Sequence, residues 1–287
     1  MYKTINLYVL FFSLFLFSFT DGNNKKKNDL ENGGMKGKVK SVRYYSYDSP
    51  DEKILAINPR TISKSDTAYY ETNDYNEKGN ITESNWHHRD EEGTDLNNRY
   101  DETGNKVEST SYNSSGKIKR HEYNKYDANS NIIENTGTLY FKDSLNFDMF
   151  YKYDAKGNMV ETNYNQTSKD RHDLYKRIYL YDERGNCIED YSYRDDGLIK
   201  SKFVRKYDAD NNITEMDYYH DSLVSKHINK YNDYGNMIED LNYDHDNKLV
   251  YDHVYKYEYD EKGNWIKQIR YDKDKVTDIE IRVIEYY

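Results

Sequence analysis

Seven glutamates recur at nearly even intervals along this chain: Glu83, Glu108, Glu134, Glu161, Glu189, Glu215 and Glu239, with Lys267 in place of an eighth. Paired carboxylates perform glycoside hydrolysis when roughly 5 to 10 Å separates them and their environments differ. Seven equivalent copies describe a lattice instead, and the expected use is a charge ladder with cations on neighbouring strands, Arg205 or lysines. Each glutamate follows a tyrosine by eight residues. Sugars stack on aromatic faces while carboxylates accept hydrogen bonds from their hydroxyls. A face holding Tyr153, Tyr181 and Tyr207 beside Glu161, Glu189 and Glu215 would therefore suit a carbohydrate. The competing use of such tyrosines is cross-strand packing, worth roughly 0.2 to 1 kcal/mol per pair.

Other chemistry is absent from the residue pattern. Asp208-Ala-Asp210-Asn-Asn212 opens like a calcium loop, but Ile213 and Tyr219 occupy the positions that need glycine and glutamate. The eight histidines, His87 and His88 among them, show no metal-ligand spacing. Cys187 is the only cysteine, so no intramolecular disulfide forms. It sits where other copies of the repeat carry Met or Ile, and reads as a small apolar strand residue. No phosphate-binding glycine loop or nucleophile elbow occurs. The expectation is a protein without catalytic residues, metal or cofactor.

The elements that would position these rows are repeats. YNEKGNITE, YDETGNKVE, YDANSNIIE, YDAKGNMVE, YDERGNCIE, YDADNNITE, YNDYGNMIE and YDEKGNWIK begin at Tyr75, Tyr100, Tyr126, Tyr153, Tyr181, Tyr207, Tyr231 and Tyr259. Spacings of 24 to 28 residues define an array of one supersecondary unit. In Y-D-x-x-G-N the Asp side chain can hold the turn and the Gly can take positive φ, a type I turn closed by a G1 bulge. Asn211 and Ser130 replace that Gly, so the turn at Ser130 is expected to be the weakest. Each unit holds two strand-like runs, giving a β-meander of about sixteen strands. Straight alternation from the turn places Leu180 opposite Ile188. It also puts tyrosine and glutamate on one face and the aliphatic residues on the other, with the aliphatic face buried. Trp265 should face Tyr259.

Residues 1–22 combine Lys3 with an apolar run and read as a secretory signal, too short for a membrane span. No cysteine follows it, so a lipoprotein is not expected. Residues 23–34 read as a polar linker and 35–73, with both prolines, as N-terminal cap strands. Residues 74–287 form the eight hairpin repeats with a C-terminal capping strand. A net charge of -10 without a basic block repels phosphate backbones, so nucleic acid is excluded as a partner. The fold class expected is all-β, a long curled antiparallel sheet or partial shell.

Eight tandem Y-D-x-x-G-N units resemble the YD repeats of the RHS family over residues 71–275, in the style of the short exported members found in Bacteroidetes. That resemblance implies strand-turn-strand units spiralling into a β shell that sometimes encloses a toxin, and repeats described as carbohydrate-binding. This chain lacks the core segment and toxin domain that typically follow. The functional expectation is an exported, non-enzymatic protein in the periplasm, at the cell surface or outside the cell, with glycans or envelope proteins as partners. The alternatives are a structural envelope spacer and a partner or remnant of an RHS-type toxin system.

Overall fold

The computed structural model describes residues 28–48, 52–59, 61–62, 69–88, 91–113, 115–140, 144–169 and 172–287. The signal segment lies outside these residues.

Each motif builds the same corner. At the Tyr181 copy, Asp182 N–H donates to Asn186 O at 2.9 Å and Gly185 N–H to Asp182 O at 3.1 Å. The Asp182 carboxylate accepts from the Asn186 backbone N–H at 2.8 Å and from its side-chain amide at 3.0 Å. Gly185 takes φ +86°, and Ser130 and Asn211 take 63° and 66° in the same place. The turn demands the left-handed region whatever residue occupies it.

Among the described residues, eighteen antiparallel strands pair in chain order from Val39–Asp48 to Lys275–Tyr286, and the first also pairs with the last. The architecture is all-β as expected, but it is a closed barrel and not a curled sheet or partial shell. The last strand does not cap an open end. It is a wall strand paired on both sides, as is Val39–Asp48 in the expected N-terminal cap. Closure removes the two exposed edges that an open ribbon would present to other chains.

The face assignment also changes. Tyr181 opposes Cys187, but Leu180 opposes Glu189, because the bulge leaves Ile188 as an extra residue. The same step pairs Lys125 with Glu134, Lys152 with Glu161 and Lys206 with Glu215. A one-residue slip sends every later side chain to the opposite face. The glutamates therefore lie with the aliphatic residues, across the sheet from the motif tyrosines. Burial is reversed from expectation too: Tyr179 is 9 % exposed and Leu180 45 %. Side chains converge on the inside of a closed barrel and splay on the outside, so the buried tyrosine face is the inner wall.

Most apolar burial sits where the first and last strands meet. Val39, Val42, Ile279 and Ile281 are fully buried. On the inner side, Leu30 and Met35 pack with Val39, Val42 and Tyr75. Leu30 lies within, and Met35 just after, a helical turn, Asp29–Asn32, held by a capping box from Asn28; this turn falls in the segment expected to be a polar linker. On the outer side, Ile54, Leu55, Ile57 and Ile62 cover Tyr45, Tyr70, Ile279 and Ile281.

Candidate functional site: the inner wall of the barrel

The motif tyrosines form a row near one rim, and most of their hydroxyls are committed to the backbone; that of Tyr259 instead accepts from the Asn232 and Asn236 amides. Tyr153, Tyr181 and Tyr207 donate to the carbonyls of Ile132, Met159 and Cys187 at 2.9, 2.6 and 2.7 Å. Those carbonyls belong to the first strand residue after the preceding turn. Burial pushes all three phenols well above their ordinary pKa. They are posts of the wall, each clamping the neighbouring hairpin.

Glu161, Glu189 and Glu215 are not beside them. On the outer face Glu161 meets Lys152 at 2.7 Å and Lys176 at 3.1 Å. Glu215 meets Lys206 at 2.9 Å and Lys226 at 3.2 Å. Hydrogen bonds from Lys152 and Asn163 hold the Glu161 carboxyl down at about 2. Glu189 has Leu180 where those copies have lysine, and takes its partners from Lys202 at 3.2 Å and the Tyr191 hydroxyl. The ladder uses lysines at these copies and Arg99 at Glu108, 2.7 Å away; Arg205 is on the inner face. Where Lys267 interrupts the row, its ammonium donates to the carbonyls of Leu55 and Ile57 at 2.7 and 3.2 Å, tying down the outer covering segment.

The inner wall instead carries residues that the sequence reading passed over. Asp190, 1 % exposed, joins Arg177 and Arg205 through contacts of 2.5 and 2.6 Å. Both guanidinium groups also lie near the Phe203 ring, at 5.7 and 5.4 Å from its centroid. Phe203 in turn sits 4.8 Å from Tyr218. Phe147, Tyr164 and Tyr175 make a second ladder, with centroids 6.1 and 5.9 Å apart and Arg120 over Phe147 at 4.6 Å. A third group joins His227 to Asp240 at 3.0 Å and to the Asn242 amide at 2.7 Å. Beside it Tyr251 stacks on His253 at 4.1 Å. One signal would have found all three groups: counting alternation from the motif tyrosine while skipping the bulged residue.

The remaining candidates are structural. Cys187 is buried, and desolvation pushes its thiol up to about 11, which suppresses the reactive thiolate. Asp208 accepts backbone hydrogen bonds from Asp210 and Asn212, both at 2.9 Å, as a turn residue. No cluster of potential metal ligands occurs among the described residues. Trp265 opposes Tyr259 as expected.

No family model matches the chain, and no curated protein does. Among solved structures it is similar to a porin-like protein from Bacteroides uniformis, with TM-score 0.41 and 11 % identity over 86 % of this chain and 96 % of that one. A porin-like protein from Bacteroides vulgatus aligns with TM-score 0.42 and 14 % identity over 87 % and 98 %. The Photorhabdus luminescens Tc holotoxin pore aligns with TM-score 0.29 and 12 % identity, covering 74 % of this chain and 14 % of that one. Likenesses this loose bear on neither activity nor partner.

Proposed function

We propose that this chain is an exported, non-enzymatic binding barrel of the YD-repeat type whose inner wall binds carbohydrate. The observation that carries the reading is the juxtaposition of aromatic ladders with Arg–Asp groups along that wall. Aromatic rings offer apolar faces to sugar rings, and fixed guanidinium and carboxylate groups exchange hydrogen bonds with hydroxyls. Room is supplied by the strand number: eighteen strands tilted in the usual way enclose a round barrel roughly 35 Å across, backbone to backbone. Side chains from opposite walls do not fill such a width.

The test is a titration of the purified protein against soluble neutral oligosaccharides, by calorimetry or on a glycan array. Binding that disappears in Tyr175→Ala and Phe203→Ala, with circular dichroism unchanged, supports the reading. Binding to no glycan, or binding indifferent to both substitutions, refutes it. One observation favours a second reading, an envelope spacer without a ligand: Asp190, Asp240 and their partners already satisfy one another. The spacer predicts an inert inner wall in the same titration.

A further inference from the structure

At the rim formed by the motif turns, residues 32–36 meet residues 234–236 and 263–265 around a cleft of about 270 Å³. Arg282 lines it from the inner face of the last strand. Its guanidinium lies 3.3 Å from the Trp265 ring centroid and 5.3 Å from that of Tyr44. Its hydrogen-bond acceptor is the Met35 sulfur at 3.7 Å, and its Nε has no partner among the described residues. Burial lowers the pKa of this arginine, with Tyr44 and Glu280 pulling the other way. An enclosed cation without a bound anion is costly unless something completes it.

Three further features converge there. Lys36 places its ammonium 5.0 Å from the Tyr234 ring centroid. Tyr234 is 54 % exposed and stacks on Tyr259 at 4.3 Å. The carboxamides of Asn32 and Asn236 line the cleft, and Asn32 Oδ1 takes no hydrogen bond among the described residues. The aromatics are departures from the repeat. Tyr234 stands where the other motifs have Lys, Thr, Asn, Arg or Asp, and Trp265 where they have Ile, Lys, Met or Cys. Both departures flank this one cleft.

We infer that the cleft binds a sugar acid: a single sugar ring bearing a carboxylate. The carboxylate pairs with Arg282 and Lys36, the ring lies against the Tyr234 and Trp265 aromatics, and hydroxyls meet the two carboxamides. A neutral sugar leaves the cations unanswered, and a bare anion leaves the rings and amides unused. This deepens the carbohydrate reading above and rests on it for the ligand class.

Trp265 reports on the cleft, so the experiment is a fluorescence titration of the full chain with sodium glucuronate, glucose and acetate at constant ionic strength. Glucuronate is expected to give a saturable change, with glucose and acetate binding at least tenfold more weakly. Lys36→Gln, an exposed position that leaves folding intact, is expected to weaken glucuronate about tenfold; Leu180→Ala on the outer face leaves it unchanged. No saturable response, acetate binding as tightly as glucuronate, or an unchanged affinity in Lys36→Gln overturns the inference. Neutral oligosaccharides that bind and are lost in Tyr175→Ala, without glucuronate binding, sink the cleft and leave the inner wall standing. Glucuronate binding without any oligosaccharide binding supports the cleft and sinks the wall.

Discussion

The repeat-built wall and the seam where the ring closes hold together by different means. In the wall, each hairpin is fixed locally: an Asp or Asn holds its turn, a tyrosine hydroxyl clamps the preceding hairpin, and lysines or Arg99 pair with glutamate outside. The seam joins residues some 240 positions apart, as in Ser41 with Glu285, and it gets little help from the motif. It is closed by apolar packing instead. Of the six largest fully buried side chains, Tyr45, Val39, Val42, Ile279 and Ile281 lie in the two seam strands. The sixth, Asp190, is the one wall residue among the described residues in that group. Local turn chemistry can thus build a strand array of any length. Closing it takes a hydrophobic core at one place, covered by chain from both sides.

The largest expected effect separates the two regions directly. Ile281→Ala should cost about 4 kcal/mol, as for a fully buried aliphatic side chain, whereas Leu180→Ala on the exposed wall should cost under about 1 kcal/mol. Denaturant midpoints of the two variants check this, and equal costs would break the contrast. Next comes the exception in the wall. Asp190→Ala strips Arg177 and Arg205 of their shared partner and should cost about 3 kcal/mol. A smaller effect attaches to the turns. Gly185→Ala places its Cβ in ordinary contact with Asn158 Oδ1 at 3.5 Å but must hold φ +86°, a strain of about 1 kcal/mol. Ser130→Gly, at φ 63°, should gain a similar amount. Thermal melts of the pair should move in opposite directions.

The smallest effect is on the outer ladder. Glu161 titrates at about 2 in the folded chain, below its ordinary 4.5, so its contribution is present above about pH 4.5 and lost as pH falls toward 2. Lys152→Gln should flatten the acid limb of stability over that interval. The change will be slight, because Lys152 is largely exposed and salt screens such pairs.

The same contrast explains what the sequence could convey. The turns were legible because their chemistry lies within six residues, down to the left-handed conformation at Ser130 and Asn211. The faces were misjudged by one bulged residue per hairpin. Ile188 and its counterparts carry no mark distinguishing an extra residue from a paired one, and alternation magnifies the slip. Closure was illegible because a sheet edge looks the same in sequence whether it meets solvent or another strand. The inner-wall groups were hidden by the face error, since straight alternation leaves Arg205 on the face expected to be exposed and separates it from Asp190, which the bulge brings opposite Tyr179. Lys267, seen only as a break in the glutamate row, proved to mark the seam.

Closure is the claim on which the interior depends, and one cross-link tests it. Ser41→Cys with Glu285→Cys, in a Cys187→Ala background, places two thiols at directly opposed positions of the first and last strands, a spacing that a disulfide can span. The barrel predicts rapid, nearly complete intramolecular cross-linking under mild oxidation, visible as a monomer of altered mobility on a non-reducing gel. Free thiols, or cross-links only between chains, would mean an open ribbon with no inner wall.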